Sequence, residues 1–256
     1  VVLDEIDILY KKSSDSLYIL TRMNSDLKKS RITIIGITND VNFKETLDPR
    51  IRSSLSEEEI VFSPYTAEQL RDILSQRAEK AFIEGVLEYG VINLCAAIGA
   101  QQHGDARRSL DLLRVAGELA ERNGDEKVTE LHVRKAQQVI ERNTVIEVLT
   151  SLPIQTKAVL QAIFIGEGKS DEVTTGDVYE LYTKICKVIR LDQLTTRRVG
   201  DLINELDMLG IVTAQVISKG RYGRSKRIHL TVSPGQVREV LEKDFRLSKV
   251  FETIDI

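Results

Sequence analysis

The sequence has no tryptophan, two cysteines, four prolines and three histidines in 256 residues. Cys95 and Cys186 lie far apart, without a CxxC partner or a neighbouring histidine pair, so they do not spell a metal site and read as core thiols. No apolar run approaches the ~20 residues needed to cross a bilayer, and no charged-then-apolar leader opens the chain. These absences point to a cytoplasmic protein with no membrane partner. Neither sign of charge dominates. A net charge of -3 and a pI near 5.8 give no global attraction to nucleic acid, so any DNA contact must come from a local cluster of Lys and Arg. An initiating methionine is also missing. The stub Val1-Val2-Leu3 is shorter than the ~5–6 residues of a typical strand, and the chain reads as cut through a strand.

What is present is ordinary globular material, with 42% hydrophobic residues, enough for one large or two to three small domains. Residues 1–63 alternate between strand and helix patterns: Val1–Leu3, an amphipathic stretch near Leu17–Leu27, the apolar run Ile32–Ile37 and a short strand at Ile60–Phe62. Alternation of this kind predicts an α/β fold with a parallel sheet. From Ser63 the period changes. Thr66 and Gln69 form a capping box ahead of Leu70, Ile73 and Leu74 at helical spacing, and further helices are expected near Val91–Gln101, Asp105–Arg122 and Thr129–Asn143. Residues 64–148 are therefore read as an all-α domain.

Beyond Pro153 the expected order is three helices, near Ile154–Ile165, Thr175–Ile189 and Thr195–Leu209, then strands Ile211–Ser218 and Lys226–Val232 around a loop with Gly220 and Gly223, then a helix. That order describes a winged helix over 149–256.

Three short segments have the chemistry of a nucleotide site. In Leu3-Asp4-Glu5-Ile6-Asp7 two adjacent carboxylates follow an apolar strand end, where one can hold Mg2+ and the next polarise a water. The plain alternative is an acidic helix cap. Asn39, at the tip of the run Ile32–Thr38, offers a polar side chain, or simply an Asx turn. In Gly104-Asp105-Ala106-Arg107-Arg108 two arginines fall in a first helical turn, where the dipole disfavours each by roughly 0.3–1 kcal/mol. A sequence carrying that cost is expected to need the charge, although solvated surface arginines remain the alternative. Gly166-Glu167-Gly168-Lys169-Ser170 mimics a P-loop, but Ile163 stands where the leading glycine belongs and the setting is helical. No other P-loop candidate exists, so the chain as it stands is expected to bind and hydrolyse ATP poorly.

The last domain carries the cations. Its third helix has an apolar stripe of Val199, Leu202, Ile203 and Leu206, leaving Thr196, Arg197 and Arg198 free at the turn that meets base edges in helix-turn-helix proteins. The hairpin adds Lys219, Arg221, Arg224, Lys226 and Arg227 with no intervening acid, and Tyr222 at its tip. Such a cluster neutralises several phosphates; the alternative is a solvated basic hairpin.

Taken in order, Leu3-Asp4-Glu5-Ile6-Asp7, Gly36-Ile37-Thr38-Asn39-Asp40, Leu47-Asp48-Pro49-Arg50, Phe62-Ser63-Pro64-Tyr65 and Gly104–Leu113, followed by the winged helix, resemble the archaeal origin-recognition initiators of the AAA+ superfamily. The resemblance implies a partial AAA+ core (1–63), a helical lid (64–148) and a C-terminal DNA-binding domain. It implies ATP or ADP with Mg2+ as cofactors: Asp4 on the Mg2+ side, Glu5 as water-activating base, Asn39 as sensor 1 and Arg107 as sensor 2. It further implies double-stranded origin DNA, an MCM-type replicative helicase and other initiator subunits as partners, in a nucleoid-associated setting. Arg50 or Arg52 stands where relatives carry an arginine finger, but Ser53-Ser54-Leu55 replaces the Ser-Arg-Cys of clamp loaders, which leaves a trans role open. A clamp-loader-like ATPase would lack the basic wing. A winged-helix transcription regulator built on an ATPase is the other rival, separated by whether its sites lie at origins or promoters.

Overall fold

The computed structural model describes residues 1–54, 58–170, 172–218 and 224–253. It divides into two compact units, 1–63 and 64–256.

In the first unit, β1 (Val2–Leu3) pairs in parallel with β2 (Ile35–Gly36), in register Val2↔Ile35 and Leu3↔Gly36. Helices α1 (Ile6–Lys12) and α2 (Ser14–Asp26) fill the connection, as a parallel pair requires. The short helices α3 (Phe43–Thr46) and α4 (Pro49–Ser54) follow. Asp48 caps α4 by accepting the Arg50 amide at 2.8 Å, and Pro49 sits at the helix start, where its missing N–H costs nothing. Ile6, Leu17, Phe43, Leu47 and Ile51 form the small core.

Two expectations fail in this unit. Ile60–Phe62 is not a strand, and Phe62 is 91% exposed. The run Ile32–Ile37 is extended and paired only at Ile35–Gly36, with Ile35 and Ile37 about half exposed. Strand propensity needs a ladder partner and a covered face to be realised, and a two-residue ladder offers neither along its length.

The second unit contains two hydrophobic cores. The first is helical: α5 (Ala67–Ala81), α6 (Val91–Gln101), α7 (Ala106–Asn123) and α8 (Glu130–Ser151). The Thr66/Gln69 capping box is present in full. Ala78, Ala96, Ala116, Ala120 and Ala136 are all buried, so the helices approach closely around Leu70, Leu74 and Leu113. Helix α8 continues past the expected end at Asn143 to Ser151, because nothing before Pro153 lacks an N–H or breaks the turn.

The second core lies under α9 (Ile154–Lys169), β3 (Val173–Thr174), α10 (Thr175–Ile189), α11 (Thr196–Met208), β4 (Val212–Ser218), β5 (Arg224–Leu230), α12 (Pro234–Lys243) and α13 (Ser248–Thr253). The strand order is β3-β5-β4, all antiparallel, with β4 and β5 in register from Val212↔Leu230 to Ser218↔Arg224. The first hairpin strand starts one residue later than expected and the second runs two residues earlier, and β3 and α13 are additions. Tyr182 is fully buried at the centre; burial pushes its phenol up to about 12, and its oxygen accepts the Leu194 amide at 3.1 Å. The cores meet along α8 and α12, where Arg142 bonds Glu239 at 2.7 Å.

Candidate nucleotide segments and nucleic-acid interface

Because β1 and β2 run parallel, both carboxyl ends emerge on one side of the ladder, the side where α/β sheets place their ligands. Asp4-Glu5 leaves β1 there and Thr38-Asn39 leaves β2. Backbone bonds from the Ile37 amide to the Leu3 carbonyl (2.8 Å) and from the Ile6 amide to the Ile37 carbonyl (3.1 Å) hold the two exits together. Asp4, Glu5 and Asn39 are exposed. Glu5 adopts a left-handed conformation (φ 52°, ψ 46°), uncommon for a residue with a side chain, while its carbonyl accepts the Ile8 and Leu9 amides. Asp4 and Glu5 thus offer two accessible carboxylates, the oxygen-ligand type a hard cation takes, and among the described residues no group of three or more metal-ligating side chains gathers there.

Two residues beside this site carry a role that motif reading passes over. Asp7 is buried, and Thr38 donates its hydroxyl to the Asp7 carboxylate at 2.9 Å; the Asp40 amide donates back to Thr38 at 3.1 Å. The pair ties the Asp4-Glu5 turn to the Asn39 turn. The Thr38 hydroxyl holds the Asp7 carboxyl below its ordinary range, with burial opposing and Lys11 assisting. Its only sequence signal is a third acid in the first turn of α1 and a hydroxyl directly before Asn39.

Arg50 is engaged within its own unit. It bonds Asp48 with two nitrogens, at 3.1 and 3.0 Å, and lies 5.6 Å from the Tyr18 ring centroid. Arg52 is exposed.

In the second unit Asp105 caps α7, accepting the Arg107 amide at 2.8 Å and the Arg108 amide at 3.4 Å. Arg107 and Arg108 are exposed and border a groove of about 460 Å3 with Gln102, Gln137, Glu141 and Thr144.

The interface candidates cluster on the winged domain. Thr195 caps α11 through the Arg198 amide (3.3 Å), while Val199, Leu202, Ile203 and Leu206 face the core. Thr196, Arg197 and Arg198 are thereby exposed in the first turn. Arg198 is drawn along the helix toward Asp201 (3.8 Å) and Glu205 (3.6 Å). Lys226 contacts Asn204 of α11, and Arg227 pairs with Glu172. Lys219, Arg221 and Tyr222 lie outside the described residues, as does the side chain of Arg224.

Residues 71–138 match the model of the Cdc6 AAA+ ATPase-type lid domain, and residues 147–240 match that of the CDC6 C-terminal winged helix domain. The ORC1-type DNA replication protein of Pyrococcus furiosus is 59% identical over 249 residues, which are 96% of this chain and 59% of that protein. The chain belongs to the archaeal ORC1/Cdc6 family. Another member, the ORC1-type DNA replication protein 1 of Sulfurisphaera tokodaii, is 56% identical over 98% of this chain and 64% of its own length. The solved structure of the Aeropyrum pernix ORC1 protein in complex with DNA superposes with a TM-score of 0.80 at 48% identity, covering 98% of this chain and 65% of that one. The ORC1/Cdc6 chain described here thus spans about three fifths of the length of its curated relatives. Its architecture is that of AAA+ ORC1/Cdc6 proteins: a small parallel sheet with helices, a helical lid and a winged helix. Among the described residues no single helix is long and apolar enough to cross a membrane.

Proposed function

We propose that this chain is the origin-binding and nucleotide-sensing part of an ATP-dependent replication initiator. Its divisions are 1–63 as the end of the AAA+ core, 64–148 as the lid and 149–256 as the DNA-binding domain. The reading rests above all on α11, whose capped first turn presents Thr196, Arg197 and Arg198 to solvent on a winged helix, in a family whose Aeropyrum member is known in complex with DNA. In this reading α11 enters the major groove, and the hairpin cations Lys219, Arg221, Arg224, Lys226 and Arg227, with Tyr222, follow the adjoining backbone.

Nucleotide handling belongs to the protein at the length of its relatives. Asp4 would hold Mg2+, which would neutralise phosphate charge there. Glu5 accepts the proton of the attacking water, Asn39 orients that water, and Arg107 reports the nucleotide from the lid; Arg52 is the freer of the two finger candidates, since Arg50 is occupied by Asp48. An MCM-type helicase and other initiator subunits are the proposed protein partners.

The test is duplex binding by the 256-residue chain carrying Arg221→Ala, Tyr222→Ala and Arg224→Ala together. Loss of two phosphate-neutralising arginines is expected to flatten the log–log salt slope by about 1.8 and to weaken binding at least tenfold. Unchanged affinity and slope would remove the wing from the interface.

A further inference from the structure

Among the described residues on the DNA face, Arg198 and Arg227 each meet a carboxylate, while Lys226 hydrogen-bonds the neutral Asn204. The engagement of Arg227 has the least to do with folding. Arg227 lies mid-strand in β5, opposite Gln215 of β4 and Thr174 of β3, where it fills no core position. Its Nη2 reaches Glu172, while its Nε is buried without an acceptor. One donor of the guanidinium is thus left unsatisfied so that another can meet a carboxylate, an arrangement poor for stability, since exposed ion pairs are worth little.

The backbone that carries the carboxylate, by contrast, is held locally. Glu172 lies between α9 and β3, and the Ser170 hydroxyl brackets its backbone, donating to the Glu172 carbonyl at 3.2 Å and accepting its amide at 3.3 Å. This serine ends the Gly168-Lys169-Ser170 segment that only mimics a phosphate loop; here the segment fixes an acid beside the wing.

We infer that Glu172 is a positioning residue that suppresses sequence-independent DNA binding by withholding Arg227 from the phosphate backbone. The inference rests on the DNA-binding reading of α11 and the β4–β5 hairpin. Sequence-independent affinity follows the number of phosphates neutralised, and a guanidinium already neutralised by its own chain adds nothing to that number. Arg227 joins the interface only where a docked duplex presents an acceptor that outcompetes Glu172 and satisfies the idle Nε.

The experiment measures Kd for a random-sequence duplex across a salt series, using the 256-residue chain and its Glu172→Gln, Arg227→Ala and doubly substituted forms, with thermal melting as a check on folding. Freeing Arg227 adds about one phosphate contact, so Glu172→Gln is expected to bind on the order of fivefold tighter near 0.1 M salt, with a slope steeper by about 0.9. The gain must vanish in the Arg227→Ala background. An equal gain in that background would show a diffuse charge effect and overturn the proposal, as would unchanged affinity and slope in a variant that melts normally. A parent chain that holds no duplex at low salt would overturn the DNA-binding reading itself.

Discussion

Among the described residues Asp7 is the one buried carboxylate, and its partner Thr38 comes from the neighbouring strand exit. A carboxyl held below its ordinary range stabilises the fold fully at pH values above that range. The contribution is lost as the pH falls through the lowered folded value. Melting of Asp7→Asn should therefore lie below the parent at neutral pH and converge with it in strong acid, and Thr38→Val should reproduce much of the effect. A constant gap at every pH would mean that the carboxylate charge is not what matters. Cys95 behaves in the opposite sense. Burial alone pushes its thiol up to about 12, so the folded chain keeps the proton while an unfolded thiol loses it from about 9 upward, and stability falls with rising pH across that window. The folded protein is expected to resist alkylation of Cys95 by iodoacetamide at pH 8 and to label at the unfolding rate; labelling as fast as an open thiol would contradict its burial.

At the scale of elements, α7 shows how a terminus is fixed. Gly104 has φ +64°, and a Cβ there would stand 2.5 Å from the Tyr65 carbonyl oxygen and 2.8 Å from its nitrogen. Its own carbonyl accepts the Tyr65 amide and its amide bonds Gly99. Gly104→Ala combines left-handed strain of about 1–2 kcal/mol with a backbone clash, so chemical denaturation should report a loss of about 2 kcal/mol or more. A loss below about 0.5 kcal/mol would mean that the turn relaxes freely. This terminus was legible in the sequence because glycine, capping aspartate and apolar period agree there, as a threonine cap and apolar period do at Thr66 and along Thr175–Ile189. Ile60–Phe62 misleads for the opposite reason: β-branched residues advertise a strand, but only a neighbour makes one. The two-residue β3 has no pattern of its own, since its existence depends on pairing with Ile228 and Arg227 far along the chain.

For the whole molecule, the order of motifs was more informative than any motif alone. Asp4, Glu5 and Asn39 each read as caps and turns as well as site residues, and β1 and β2 bring their exits to one side. The apolar stripe of α11 foretells which residues reach solvent, because a helix buries one face and exposes the other. What the stripe cannot convey is that Arg227 of the hairpin meets an acid in a loop far along the chain. Such a pair depends on tertiary placement, and Glu172 is separated from Arg227 by two helices and two strands. A net charge of -3 is then consistent with the proposed DNA contacts coming from a local group of cations, two of which the chain pairs with its own acids.

The measurement that bears most directly on the central claim is retention of sheared genomic duplex by this chain at low and at near-physiological salt, followed by sequencing of what is held. The account predicts repeats clustered at one or a few replication-origin loci, with retention falling steeply as salt rises. Promoter-wide enrichment, or retention with neither locus preference nor salt dependence, would contradict it.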